Sequence, residues 1–181
     1  MKEKEQINEI LKGNEHAFNY FIDTYQNSAF NLAYQICQNR QDAEDIVQDA
    51  FVKAYFRLNT FRGDSKFSSW LYRIVYNMAI SHCRKTLITT VNLKDIITNH
   101  YYEDNTEQIE KKEQIEIIYK TFITLSHNDK CILTLFYIEE VPVKDISKIM
   151  RLSESNIKIR LHRARKKLSE KVRYTTEYYA S

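Results

Sequence analysis

Three observations predict an all-helical fold of two small domains joined by a polar linker. Glycine and proline are scarce, at two and one in 181 residues. Strands and tight turns lean on them, so helices joined by polar loops are favoured. Apolar residues recur at i, i+3, i+4 and i+7 through several blocks, as in amphipathic helices with a wide buried stripe. Between two groups of such blocks, periodicity fails. The length allows two small domains or one medium one, with a real core in either case.

The first block holds Phe18, Phe21, Ile22 and Tyr25, then Leu32, Ala33 and Ile36. A second, very regular, runs Ala43, Ile46, Val47, Ala50, Phe51, Ala54, Tyr55 and Leu58. The third is Phe67, Trp70, Leu71, Ile74, Val75, Met78 and Ala79. Between the second and third, NTFRGDSKF reads as a loop around Gly63. From Thr86 to Glu107, ten of 22 residues are Thr, Asn or Asp, which reads as a linker. Fully extended it spans about 70 Å, near two turns of duplex DNA. Helical spacing resumes with Ile115, Ile118, Tyr119 and Phe122 and continues through Ile132, Leu135 and Phe136. The expected division is 1–85, a linker at 86–109, 110–173 and a tail at 174–181, with the two domains loosely set relative to one another.

The net charge of +3 hides an asymmetry. Residues 143–173 carry 11 Lys/Arg against 3 Asp/Glu, a net of +8, while residues 94–140 carry 5 against 10, a net of −5. Basic charge gathered near the C-terminus points to a polyanionic partner there. Cys37, Cys83 and Cys131 are far apart in sequence, without metal-ligand spacing, and read as reduced thiols used as small apolar side chains. With no signal-peptide pattern and no membrane-length apolar run, the expectation is a cytoplasmic protein without membrane insertion. No cofactor or metal is expected.

VPVKDISKIMRLSESNIKIRLHRARKKL reads as a helix-turn-helix. Pro142 suits a first helical turn, Ile146, Ile149 and Met150 supply a short helix's apolar face, Arg151-Leu152 makes the corner, and Ser153 caps the second helix. On that helix Ile157, Leu161, Ala164 and Leu168 share an inward face. Opposite stand Ser155, Ile159, His162, Arg163 and Lys166, flanked by Lys158, Arg160, Arg165 and Lys167. A basic face around a few shorter side chains fits a helix in the major groove, its flanks on phosphates and its centre on base edges. Ile159, apolar on the wet face, is placed to meet a thymine methyl. A solvated basic helix without a ligand is the plainer alternative, and His162 alone is ordinarily a solvated side chain.

DAEDIVQDAFVKAYFRL followed by FRGDSKFSSWLYRIVYNMAI resembles the sigma-factor region that grips RNA polymerase and opens the −10 element. LSESNIKIRLHRARKKL resembles the region that reads the −35 element. Their order, the linker and the total length are similar to the extracytoplasmic-function (ECF) sigma factors. The resemblance implies a subunit, not an enzyme, that directs RNA polymerase core to promoter DNA, and commonly an anti-sigma partner over the same faces. It implies that Asp45 and Gln48 contact the polymerase clamp helices and that residues 59–67 capture a flipped base. It also implies that Asn77 touches the −10 element. Capture of a single strand needs stacking surfaces near cations. Phe61, Phe67 and Trp70 with Arg62, Lys66 and Arg73 offer both, although Phe67 and Trp70 are expected to be at least half buried. One departure stands out: Arg151 occupies a corner where the family has glycine.

A two-domain helix-turn-helix regulator without the sigma role would explain the C-terminus but not the basic, aromatic 59–77 block. An enzyme such as a recombinase would need a nucleophile with supporting groups or clustered carboxylates. His82-Cys83 is the only adjacent reactive pair, and no recognisable catalytic set accompanies it.

Overall fold

The computed structural model describes residues 2–89, 118 and 120–179. Among them all regular structure is helical and no strand occurs. α1 (Lys2–Leu11) is a helix that the block spacing does not announce, because few of its apolar residues reach the core. Ile10 is buried, Ile7 is half-buried, and the Tyr25 hydroxyl donates to the Glu3 carboxylate, tying α1 to the next helix.

A 3-10 turn at Glu15–Phe18 leads into α2 (Asn19–Cys37), which buries Phe21, Ala29, Leu32, Ala33 and Ile36. α2 ends where Gln38 turns left-handed at φ 52°. Asn39 caps α3 (Arg40–Phe56), its side-chain oxygen accepting the Asp42 N–H at 3.1 Å. Every apolar position of the second block is buried except Tyr55, which is half-buried. α4 (Phe67–Thr89) closes the first unit and runs four residues past the expected boundary at 85. Its Phe67 ring stacks into the core, 4.1 Å from Phe21 between ring centres.

The second unit adds Ile132, Leu135, Ile146, Ile149, Ile157 and Leu161 to a buried cluster continuous with that of the first. Ser126 caps α5 (His127–Leu133), accepting the Asp129 N–H at 3.2 Å. α5 continues as a π-helical turn over Thr134–Ile138. α6 (Val143–Met150) and α7 (Glu154–Tyr179) form the helix-turn-helix. Pro142 stands one place earlier than expected. It is the N-cap of α6 in extended backbone, with the N–H groups of Asp145 and Ile146 bonded to its carbonyl. Proline's fixed φ fits either position, and the ψ of 148° decides for the cap. α7 is continuous through Tyr179, so helix extends into the segment read as a tail.

The halves are packed together, where the polar linker predicts a loose arrangement. The Tyr72 hydroxyl donates to Glu139 at 2.6 Å, with longer contacts of 3.5 Å from Ser69 to Asp145 and from Tyr76 to Asn128. His127 Nδ1 lies 3.2 Å from the Gln35 carbonyl oxygen. Ser69, Tyr72 and Tyr76 are all buried. α4 therefore has a second packed face, which a single apolar stripe in the sequence does not reveal. The expected linker from residue 90 onward lies outside the described residues.

Candidate nucleic-acid interface

The helix-turn-helix corner, like Gln38 and Glu140 before it, holds a non-glycine residue at positive φ. Arg151 sits at φ 56°, ψ 41°, in the left-handed region that favours glycine. The turn is held by Ser147, whose carbonyl accepts the N–H of Leu152 at 3.1 Å and whose hydroxyl donates to the Leu152 carbonyl at 2.6 Å. Ser153 caps α7 as its chemistry predicts, accepting the Asn156 N–H at 3.2 Å.

α7 divides as its helical wheel predicts. Ile157, Leu161 and Ala164 are buried, and Leu168 packs half-buried beside them. Ser155, Lys158, His162, Arg163, Arg165, Lys166 and Lys167 are exposed, and Ile159 remains 50% exposed. Arg160 behaves differently. Its guanidinium reaches Asp129 on α5 at 3.0 Å and Asn156 at 2.8 Å, so it braces α7 against α5.

On α4, Lys66 at the entry, then Trp70, Arg73 and Asn77, line one stripe. Ser69, Tyr72 and Tyr76, which meet the second unit, form another about 100° around the helix. Docking of the halves therefore leaves the first stripe uncovered: Lys66 and Arg73 are exposed, as is Arg62 in the preceding loop. Phe61 and Trp70 are half-buried, 5.4 Å apart between ring centres. Phe67 lies beneath them, 1% exposed, and forms the floor of this aromatic group without a face for a base. Gly63, at φ 75°, turns the 61–66 loop. Asn77 is half-buried and its amide N–H donates to the Arg73 carbonyl at 2.6 Å, which leaves the amide oxygen to accept.

A third surface lies on α3. Asp45 and Gln48 are exposed, and the same stripe carries Val52 (55% exposed) and Phe56 (75% exposed). Gln48, Val52 and Phe56 border an open groove of about 480 Å³ between α3 and the start of α2, walled by Phe18, Ile22 and Phe51. Val52 and Phe56 escape a search for charged or polar contacts. Their signal is apolar character off the buried stripe, four residues apart. In the pair His82-Cys83, His82 Nε2 lies 3.4 Å from an Asp42 carboxylate oxygen. Among the described residues, no three His, Cys, Asp or Glu side chains gather as a metal site. No described helix is long and apolar enough to cross a membrane.

The family described as Sigma-70 region 2 matches residues 21–87, and Sigma-70 region 4 matches residues 115–168. Over 92% of both chains, the sequence is 30% identical to the ECF RNA polymerase sigma-E factor of Escherichia coli K12. It is 29% identical to the ECF RNA polymerase sigma factor SigW of Bacillus subtilis 168, across 94% of this chain and 96% of that one. The fold is similar to the sigma factor RpoE of Bartonella quintana, solved with the anti-sigma factor NepR. The TM-score there is 0.70 at 21% identity, covering 86% of this chain and 96% of that one. It is likewise similar to CnrH, solved with the cytosolic domain of CnrY, at TM-score 0.64 and 21% identity over 94% and 96% of the two chains.

Proposed function

This chain belongs to the ECF sigma factors, and on that premise we propose how its surfaces divide the work of directing RNA polymerase core to promoters. The second unit, region 4, reads the −35 element through α7. Ser155, Ile159, His162 and Arg163 face bases, and Lys158, Lys166 and Lys167 neutralise phosphates. Arg160, held by Asp129, positions the helix and reaches DNA only if that ion pair opens.

The first unit, region 2, contacts core polymerase along Asp45, Gln48, Val52 and Phe56 and handles the −10 element through residues 59–77. A flipped base stacks against Phe61 and Trp70, with Arg62, Lys66 and Arg73 on the neighbouring phosphates. The Asn77 amide oxygen accepts from a base edge. The observation that carries the proposal is that all three faces stay open to solvent while the two halves are packed together. The domain limits proposed are region 2 over 1–85, carried on to residue 89 by α4, and region 4 over 110–173, with the linker between.

In this reading the chain is a non-catalytic, cytoplasmic subunit and polymerase supplies the chemistry. An anti-sigma partner, of the kind solved with the similar sigma factor RpoE, would compete here for the α3 groove and the DNA faces. Transcription of genomic DNA by core polymerase, with and without this chain, is the test. New discrete start sites that need the chain are expected. An unchanged transcript set would overturn the sigma role and favour the regulator.

A further inference from the structure

Two of the three cysteines meet in the fold. Cys37 is the last residue of α2, Cys83 lies six residues before the end of α4, and their Sγ atoms are 3.6 Å apart. Cys83 Sγ also lies 3.6 Å from the Ile36 carbonyl oxygen. A disulfide bond is about 2.05 Å long, so the sulfurs need approach by only about 1.5 Å. Both thiols are half-buried, whereas Cys131 is completely buried.

We propose that Cys37 and Cys83 are an oxidation site, a dithiol that peroxide closes to a disulfide joining α2 to α4. One thiolate of the pair takes an oxygen from hydrogen peroxide, giving a sulfenic acid and hydroxide, which is protonated to water. The partner sulfur then attacks the sulfenic sulfur. The S–S bond forms as the S–O bond breaks, and the departing hydroxide leaves as water with the partner thiol's proton. Two thiols are oxidised by two electrons and one peroxide becomes two waters. Burial pushes the Cys37 thiol up, with the neighbouring Cys83 adding to the effect. Cys131 is pushed up to about 12 by burial and stays inert.

The crosslink would enclose all of α3 and the 59–66 loop, the polymerase-contact stripe and the base-capture loop together. It also lies at the seam between the units, two residues from the Gln35 carbonyl that His127 approaches.

The test uses the full reduced chain at pH 8, treated with hydrogen peroxide, then unfolded and alkylated with a maleimide. Intact mass and peptide mapping should show one adduct, on Cys131, in place of three, with a peptide linking Cys37 to Cys83. Dithiothreitol should restore three adducts. Cys37→Ser and Cys83→Ser should each form no internal disulfide. The mapping on the unsubstituted chain decides the matter even if a variant folds poorly. Three retained thiols, a link through Cys131, or sulfinic acid in place of a disulfide would each overturn the proposal.

Discussion

Arg151 makes the clearest test of how backbone geometry and sequence trade against one another. It holds φ 56°, ψ 41° with an exposed side chain, so its conformation is imposed by the corner and by the Ser147–Leu152 bonds. A non-glycine residue in this region costs on the order of 1–2 kcal/mol, from Cβ against the following carbonyl. Arg151→Gly removes that clash but frees the unfolded chain, which returns roughly 0.4–1 kcal/mol. The net expectation is stabilisation by about 0.5–1 kcal/mol. For a chain of this length, that is a rise of roughly 1–4 °C in Tm. Arg151→Asn should fall between the glycine variant and the unsubstituted chain, since Asn tolerates the left-handed region through local hydrogen bonding. Arg151→Val, which is β-branched, should melt lowest. Calorimetric melts of the four proteins, with urea m-values to check that the unfolded state is unchanged, give the ranking. If Arg151→Val melts with or above Arg151→Gly, the strain argument is refuted.

The double substitution Asp45→Ala with Gln48→Ala should weaken core polymerase capture while changing stability by no more than ~0.5 kcal/mol, since both positions are exposed. A pull-down retaining full affinity refutes the assignment. Arg62→Ala, Lys66→Ala and Asn77→Ala should reduce open-complex formation more than duplex binding, read as permanganate reactivity of promoter thymines. On the −35 element, Arg163→Ala should cost roughly 1–3 kcal/mol and relax one base position. Lys158→Ala or Lys167→Ala should weaken all sites alike and lower the salt slope by about one counterion, and Ile159→Ala should matter only where a thymine lies beneath it. Titrations over a salt series on singly substituted sites separate these outcomes. Tyr72→Phe removes a charge-assisted bond between the units worth roughly 1.5–3 kcal/mol, less what Glu139 regains from water. Hydrogen exchange over 134–150 should therefore accelerate. Burial and then Glu139 raise the Tyr72 hydroxyl above its ordinary value. Its contribution to docking is thus complete below about pH 10 and lost as pH climbs beyond it.

Much of this protein could be read one helix at a time. The wheel of α7 assigned Ile157, Leu161 and Ala164 inward and Arg163 outward, because side chains three and four apart share a face whatever the rest of the chain does. The cap at Ser153 follows from the same local chemistry, an oxygen within reach of an N–H three residues on. The two motif blocks were likewise visible in order, as the matches to Sigma-70 regions 2 and 4 bear out.

Tertiary structure decided what depends on residues distant in the chain. Arg160 looked like another phosphate contact until Asp129, 31 residues away, came within 3.0 Å. Asn77 looked free for a base edge, yet its N–H turns back to Arg73. The second packed face of α4 exists because Glu139, Asp145 and Asn128 arrive from the other unit, and no periodicity within α4 encodes their arrival. The thiols of Cys37 and Cys83, 46 residues apart, become neighbours only when α2 packs on α4. Spacing along a helix is set by its 3.6-residue turn, whereas contact between helices is set by how whole surfaces fit, which only the assembled core can select.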